Sequence, residues 1–202
     1  MHSETQRTRA LRLARKKGAL SAAEAARHGI HSQVLSRLVE DGSLERVGRG
    51  RYRHPDAPLT EHHGLALVAG AAPEGVVCLL SAMSFHGVGT QLPTGVWIAL
   101  DRRSRKPALE WPPVRVFRFG GKALTAGVET HILEGIPVKI YTLAKTVADL
   151  FKYRNKVGVD VAVEALKEAW REGRVDMGQL NRFARICRVE RVMRPYLETV
   201  TS

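Results

Sequence analysis

The sequence predicts an α/β protein of the α+β kind: a small module of three helices and a hairpin, then a mixed α/β domain that ends in a helical section. Three observations lead there. The first 54 residues hold three short helical patterns punctuated by glycines, then two extended runs around Gly48-Arg49-Gly50. The middle of the chain alternates apolar runs of strand length with short helical stretches. From Thr142 onward the apolar spacing follows a helical period.

Residues 5–17 read as a first helix, with Ala10, Leu11, Leu13 and Ala14 on or near one face. Arg7, Arg9, Arg12, Arg15, Lys16 and Lys17 cover most of the rest, and Gly18 ends it. A second helix opens at Ser21, whose hydroxyl can accept the N–H of Glu24 while Glu24 reaches back, a capping box. Small alanines at 22, 23, 25 and 26 let it pack closely until Gly29 makes the turn.

The third helix, about Ser32 to Glu40, has two faces. Val34, Leu35, Leu38 and Val39 form a stripe to bury, and Ser32, Gln33, Ser36 and Arg37 repeat with the same spacing opposite. Those four are small, polar or bidentate groups of the kind that can reach base edges in a major groove. Asp41-Gly42 stops the helix, and LERVGRGRYRH reads as a hairpin. Three short helices followed by an arginine-tipped hairpin resemble a winged helix-turn-helix. In that arrangement the third helix enters the major groove. Arg49, Arg51 and Arg53 on the wing would lie against phosphates or an adjacent minor groove.

Residues 55–63 (PDAPLTEHH) are polar and proline-containing and read as a connector, so the expected domains are 1–54 and 64–202. After the connector, 65–71 suits a helix of small residues and Val76–Leu80 a buried strand. SAMSFHG (81–87) reads as a helix opening at a serine cap, with His86 as a structural histidine or C-cap. Strands are expected at 96–100, 114–119, 128–133 and 136–141, the last two joined at Glu134-Gly135. Leu143, Val147, Leu150 and Phe151 mark one helix, and Ala162, Ala165, Leu166 and Ala169 the next. Asp176 can cap a third, ahead of Met177, Leu180, Ala184 and Cys187. Val192, Tyr196 and Val200 suggest a last helix, with Pro195 tolerable only in its first turn.

Composition limits what the chain can do. Its 202 residues carry 32 Lys and Arg against 20 Asp and Glu, a formal charge of +12. Residues 1–54 hold 12 basic and 5 acidic groups, so more than half the excess lies in the first quarter. That asymmetry suggests a polyanion partner for the N-terminal module. Apolar runs fall short of the roughly 18–20 residues of a membrane helix, and the N-terminus lacks the apolar block of a secretory signal. A cytoplasmic location is therefore expected. Cys78 and Cys187 sit in apolar surroundings and read as core residues.

No phosphate-binding glycine loop, nucleophile elbow or metal-ligand spacing occurs, so no catalytic residue, metal site or cofactor is expected. The nearest enzymatic alternative is a nuclease using Asp101 at a strand end. The run after it is Arg102, Arg103, Ser104, Arg105 and Lys106, with no acid before Glu110 to help hold an ion. A second alternative is a stand-alone transcriptional regulator whose α/β domain senses a ligand.

Longer strings resemble the AbiEi family of antitoxins from type IV toxin–antitoxin, or abortive-infection, systems. They are SAMSFHGVGTQLP (81–93), VWIAL (96–100), the stretch from LTAGVETHILEG to VEALKEA (124–169), and ARICRVERVMRPYLE (184–198). The resemblance implies a repressor of its own operon that binds inverted repeats in operator DNA and contributes to phage resistance. It also implies a C-terminal domain that neutralises a nucleotidyltransferase-like toxin, with no stable complex required. For that domain the resemblance supplies no residues. Two basic sets are the natural places to look: Lys145, Lys152, Arg154 and Lys156, then Arg185, Arg188, Arg191 and Arg194. Either is expected to be a solvated helix face, or a contact to flanking DNA or an acidic toxin surface.

Overall fold

The computed structural model describes residues 4–57 and 60–201; positions 58 and 59 of the expected connector lie outside the described residues. Two compact units emerge, Met1–Pro73 with Ile132–Val138, and Glu74–His131 with Lys139–Ser202.

The N-terminal unit runs α1 (Gln6–Lys17), β1 (Ala19–Ser21), α2 (Ala22–Arg27), α3 (Ser32–Glu40), β2 (Glu45–Gly48), β3 (Arg51–Arg53) and α4 (His63–Ala71). The first two helices start at side-chain caps. The Thr5 hydroxyl accepts from Thr8 N at 3.2 Å, and the Ser21 hydroxyl from Glu24 N at 3.1 Å. The capping box is only half made, because the Glu24 carboxylate pairs with Lys17 on α1. Gly18 ends α1 at φ 79°, a conformation that a side chain would strain.

Strand β1 is absent from the sequence-based expectation. It pairs antiparallel with β3, Leu20 opposite Tyr52, and completes a three-stranded sheet in the order β1-β3-β2. Three residues show no periodicity to read. The core of this unit joins Ala10, Leu13 and Ala14 of α1 to Leu20, Ala25, Ile30, Leu35, Leu38, Leu44 and Tyr52. Helix, turn, helix and wing therefore share one interior. The unit also continues past the wing: α4 packs on β2, with Gly70 so near the strand that a Cβ there would overlap the Val47 carbonyl oxygen.

The C-terminal unit contains β4 (Val76–Val77), α5 (Leu79–Phe85), β5 (Val96–Asp101), β6 (Val114–Phe119), α6 (Lys122–Thr125) and the outer parts of β7 (Val128–Leu133) and β8 (Ile136–Tyr141), whose joined ends, Ile132–Val138, count with the N-terminal unit. Helices α7 (Leu143–Lys152), α8 (Arg154–Val157), α9 (Val159–Arg171), α10 (Met177–Cys187) and α11 (Glu190–Thr201) follow. Its sheet has the order β6-β5-β4-β8-β7. β5 runs parallel to β6 and antiparallel to β4, and β4 is parallel to β8. Between Leu133 and Ile136, Glu134 and Gly135 both have positive φ (49° and 76°), the pattern of a two-residue hairpin turn.

α7 is the hub. Every residue from Leu143 to Phe151 is buried, and the helix packs against α5, α9 and α10. Aromatic rings fill the space beside it: Phe119 stacks on Tyr141 and Tyr153, with centroids 5.8 and 5.5 Å apart. Asp176 caps α10 as its spacing predicts, accepting from Gln179 N at 2.7 Å.

Two local expectations are corrected. Ser81 does not open a helix; α5 starts at Leu79, and the Ser81 hydroxyl instead accepts from Trp97 N at 2.9 Å on β5. Pro195 lies inside α11, beyond its first turn. It leaves the Arg191 carbonyl on an exposed face without its usual N–H donor, where water can serve. His86 is the C-cap of α5, and its Nε2 lies 2.7 Å from the Tyr141 carbonyl oxygen.

Candidate nucleic-acid interface

α3 buries Leu35 and Leu38 and turns Ser32, Gln33, Ser36 and Arg37 to solvent. Arg37 has no carboxylate within 4.0 Å among the described residues, so its guanidinium is free to meet a ligand. The polar face read from spacing is therefore a continuous exposed surface. Its orientation is fixed from both ends. His31 N donates to Gln6 Oε1 of α1 at 2.9 Å, and Arg7 of α1 reaches Asp41, the C-cap, at 2.6 Å. Hydrogen bonds from Ser43 and then Arg7 hold the Asp41 carboxyl at about 2, below its ordinary 3.8.

The three wing arginines separate. Arg49 is exposed at the turn between β2 and β3. Arg51 is half-buried, and its Nη1 donates to the Gly135 carbonyl at 3.4 Å. Arg53 is only 6% exposed. Its guanidinium donates to the Ala57 carbonyl and, at 3.2 Å, to Glu45 across the strand pair. The expectation that Arg53 reaches a ligand from the wing is thus corrected. The turn after β3 folds its own carbonyl over the side chain, so this cation holds the wing together. Arg46 on β2, not among the expected site residues, is also exposed; β2 shows no in-and-out alternation that would have marked it.

The arginine-rich α1 differs from α3. Arg7, Arg9, Arg12, Arg15 and Lys17 meet Asp41, Glu4, Asp56 and Glu24 of the same unit. Much of the excess charge of α1 is therefore internally paired. Among the described residues Arg37, Arg46 and Arg49, on α3 and the wing, have no carboxylate within 4.0 Å.

In the C-terminal unit the two expected basic sets are reorganised. Lys145 is not on an exposed face; it is fully buried, with Nζ 2.5 Å from Asp149 and 4.1 Å above the Tyr141 ring. The i,i+4 partner makes burial of the ammonium possible. Burial pushes the Asp149 carboxyl upward against the pull of Lys145, and the buried Cys187 thiol, also shifted up, donates to Asp149 at 3.2 Å. Arg154 is half-buried and donates to the Phe151 carbonyl at 3.1 Å. Arg194 pairs with Glu198 at 3.0 Å, and Arg191 is exposed on α11. Lys152 of the first set and Arg185 and Arg188 of the second line one cleft. Among the described residues no three of His, Cys, Asp and Glu gather closely enough to hold a metal ion, and no helix is long and apolar enough to cross a membrane.

Three helices on one core, a short strand between the first two, and a two-stranded wing define a winged helix-turn-helix. Residues 9–55 match the family model described as a transcriptional regulator, AbiEi antitoxin. The N-terminal unit is thus similar to the regulator domain of AbiEi antitoxins over those residues. No match was found among curated proteins.

Proposed function

We propose that the chain represses its own operon by binding inverted repeats in operator DNA through the N-terminal unit. One observation carries this: the exposed polar face of α3 holds an unpaired Arg37 beside Gln33, while the arginines of α1 are taken up by neighbouring carboxylates. Gln33 and Arg37, with Ser32 and Ser36, read base edges, and a good bidentate contact discriminates by about 1–3 kcal/mol. Arg49 and Arg51 supply affinity through the phosphates, largely independent of sequence. The C-terminal unit, in the same proposal, neutralises a nucleotidyltransferase-like toxin in the cytoplasm, in the manner of a type IV antitoxin.

The test is binding of the full chain to roughly 200 base pairs upstream of its gene against scrambled DNA, over a range of salt. Tight, competitor-resistant binding that weakens with salt supports repression. Arg37→Ala is expected to relax specificity, whereas Arg49→Ala weakens binding to all DNA alike and flattens the salt slope. Equal, weak binding to both DNAs would overturn the proposal and leave the module as a docking domain.

A further inference from the structure

The C-terminal unit contains a cleft of 740 Å³ lined by six cationic side chains. They come from four places far apart in the chain. Arg102 follows β5, Arg118 and Lys122 flank Gly120-Gly121 after β6, Lys152 ends α7, and Arg185 and Arg188 end α10. We propose that this cleft is a binding site for a small molecule bearing a polyphosphate chain, a nucleoside di- or triphosphate in class.

Topology supports a small ligand. β5 and β6 are parallel neighbours, and the residues just beyond their carboxyl ends, Arg102 and Gly120, both line the cleft. In open sheets that bear helices, ligands settle in the crevice outside the carboxyl ends of the strands. The volume lies within the few hundred to about a thousand cubic ångströms of such sites. A duplex backbone, in contrast, is met by cations spread along an open ridge, and here they surround a hollow.

Charge selects the ligand. Arg102, Lys122, Lys152 and Arg188 have no carboxylate within 4.0 Å among the described residues. Arg185 has only Glu190, at 3.7 Å. Gathering so many unpaired cations around one hollow raises the electrostatic energy of the empty protein, and an anion removes that cost. A single phosphate ester brings about two negative charges, fewer than the four free cations; a polyphosphate matches them. Asp149 on the floor does not oppose this, since Lys145 and Cys187 occupy both its oxygens. Arg118 is a positioning residue: its Nη1 donates to the Asp101 and Ser104 carbonyls, both at 2.7 Å, and so holds the turn that presents Arg102. Tyr153, backed by Phe119, gives the wall an aromatic surface suited to a base.

Arg188 adds a local sign. It caps α10 in the left-handed region, at φ 58°, where glycine is the residue expected. The cap sets that backbone conformation, so an arginine there bears strain that a glycine would avoid, and at ligand sites such strain recurs.

The experiment titrates the full chain with ATP, GTP and inorganic tripolyphosphate by calorimetry, with adenosine as the uncharged control. ATP, GTP and tripolyphosphate are expected to bind and adenosine not. Lys152→Ala and Arg188→Gly are each expected to weaken binding by roughly tenfold or more. Arg188→Gly suits the backbone at that position, so loss of binding there cannot be put down to misfolding. Arg194→Ala, outside the cleft, is expected to change nothing. No binding up to about 1 mM, or binding untouched by both cleft variants, would overturn the proposal. So would variants that lose affinity for non-operator duplex while the wild type ignores nucleotides, because the cleft would then be a backbone contact for nucleic acid. The titration contains no DNA, so its outcome is separate from that of the operator test.

Discussion

Arg7 of α1 lies 2.6 Å from Asp41, the residue that closes α3, and also donates to Ser43 at 3.1 Å. One guanidinium therefore braces the far end of the helix that presents Gln33 and Arg37. Asp41 titrates at about 2 in the folded chain against an ordinary 3.8. A carboxyl whose folded value is depressed contributes stability above its ordinary value and loses it as pH falls toward the folded one. The melting temperature of the wild type should exceed that of Asp41→Asn near neutral pH, and the gap should close between about pH 4 and pH 2. A gap of constant size down to about pH 2 would show that the ionised carboxylate contributes nothing.

Arg53 and Arg49 should behave oppositely although both belong to the wing. Arg53→Ala removes a buried donor to the Ala57 carbonyl and to Glu45, a loss of about 1–3 kcal/mol of stability. Urea unfolding measures it. Arg49→Ala should leave the unfolding curve in place. An Arg53→Ala variant as stable as the wild type would mean that Arg53 does not hold the wing together.

The approach of α4 to β2 gives a steric prediction. Gly70→Ala puts a methyl group against the Val47 carbonyl, and neither backbone can yield without shifting its neighbours. A cost of about 1–3 kcal/mol is expected, read as a lower urea midpoint at unchanged slope. Unchanged stability would mean that α4 does not pack on the wing as described.

Asp149→Ala should be among the most damaging single changes in the C-terminal unit. It strands the Lys145 ammonium in a fully buried site, and breaking such a pair costs about 3–5 kcal/mol. Replacing both partners with apolar residues, as in Lys145→Met with Asp149→Leu, should recover most of that. A double variant no better than Asp149→Ala alone would show that the pair does more than satisfy itself.

Much of this architecture is legible in the chain because it rests on local chemistry. Ser21 and Asp176 cap helices, Glu134-Gly135 turns a hairpin, and Leu35 with Leu38 marks the inner face of α3. What stayed hidden depends on partners remote in sequence. β1 has three residues and exists only because β3 is there to pair with. Arg53 alternates with Arg51 as a surface residue would, until the turn after it supplies the Ala57 carbonyl. Lys145 looked solvated because of its charge, though Asp149 at i+4 in an otherwise apolar helix was a readable sign of a buried pair. The exposed face of α3 was legible from spacing alone. The basic cleft was not, since Arg102, Lys122, Lys152 and Arg188 meet only once the sheet and α10 have formed.

The short pairing of Leu20 with Tyr52 has a mechanical meaning. A two-stranded ribbon by itself is marginally stable and sways about its base. With a third strand on its inner edge, and that strand leading straight into α2, the wing cannot bend without dragging the helices along. The span from Arg37 to Arg49 is then set like the jaws of a locked caliper. Any surface gripped by both must come to that gauge, by shape or by bending.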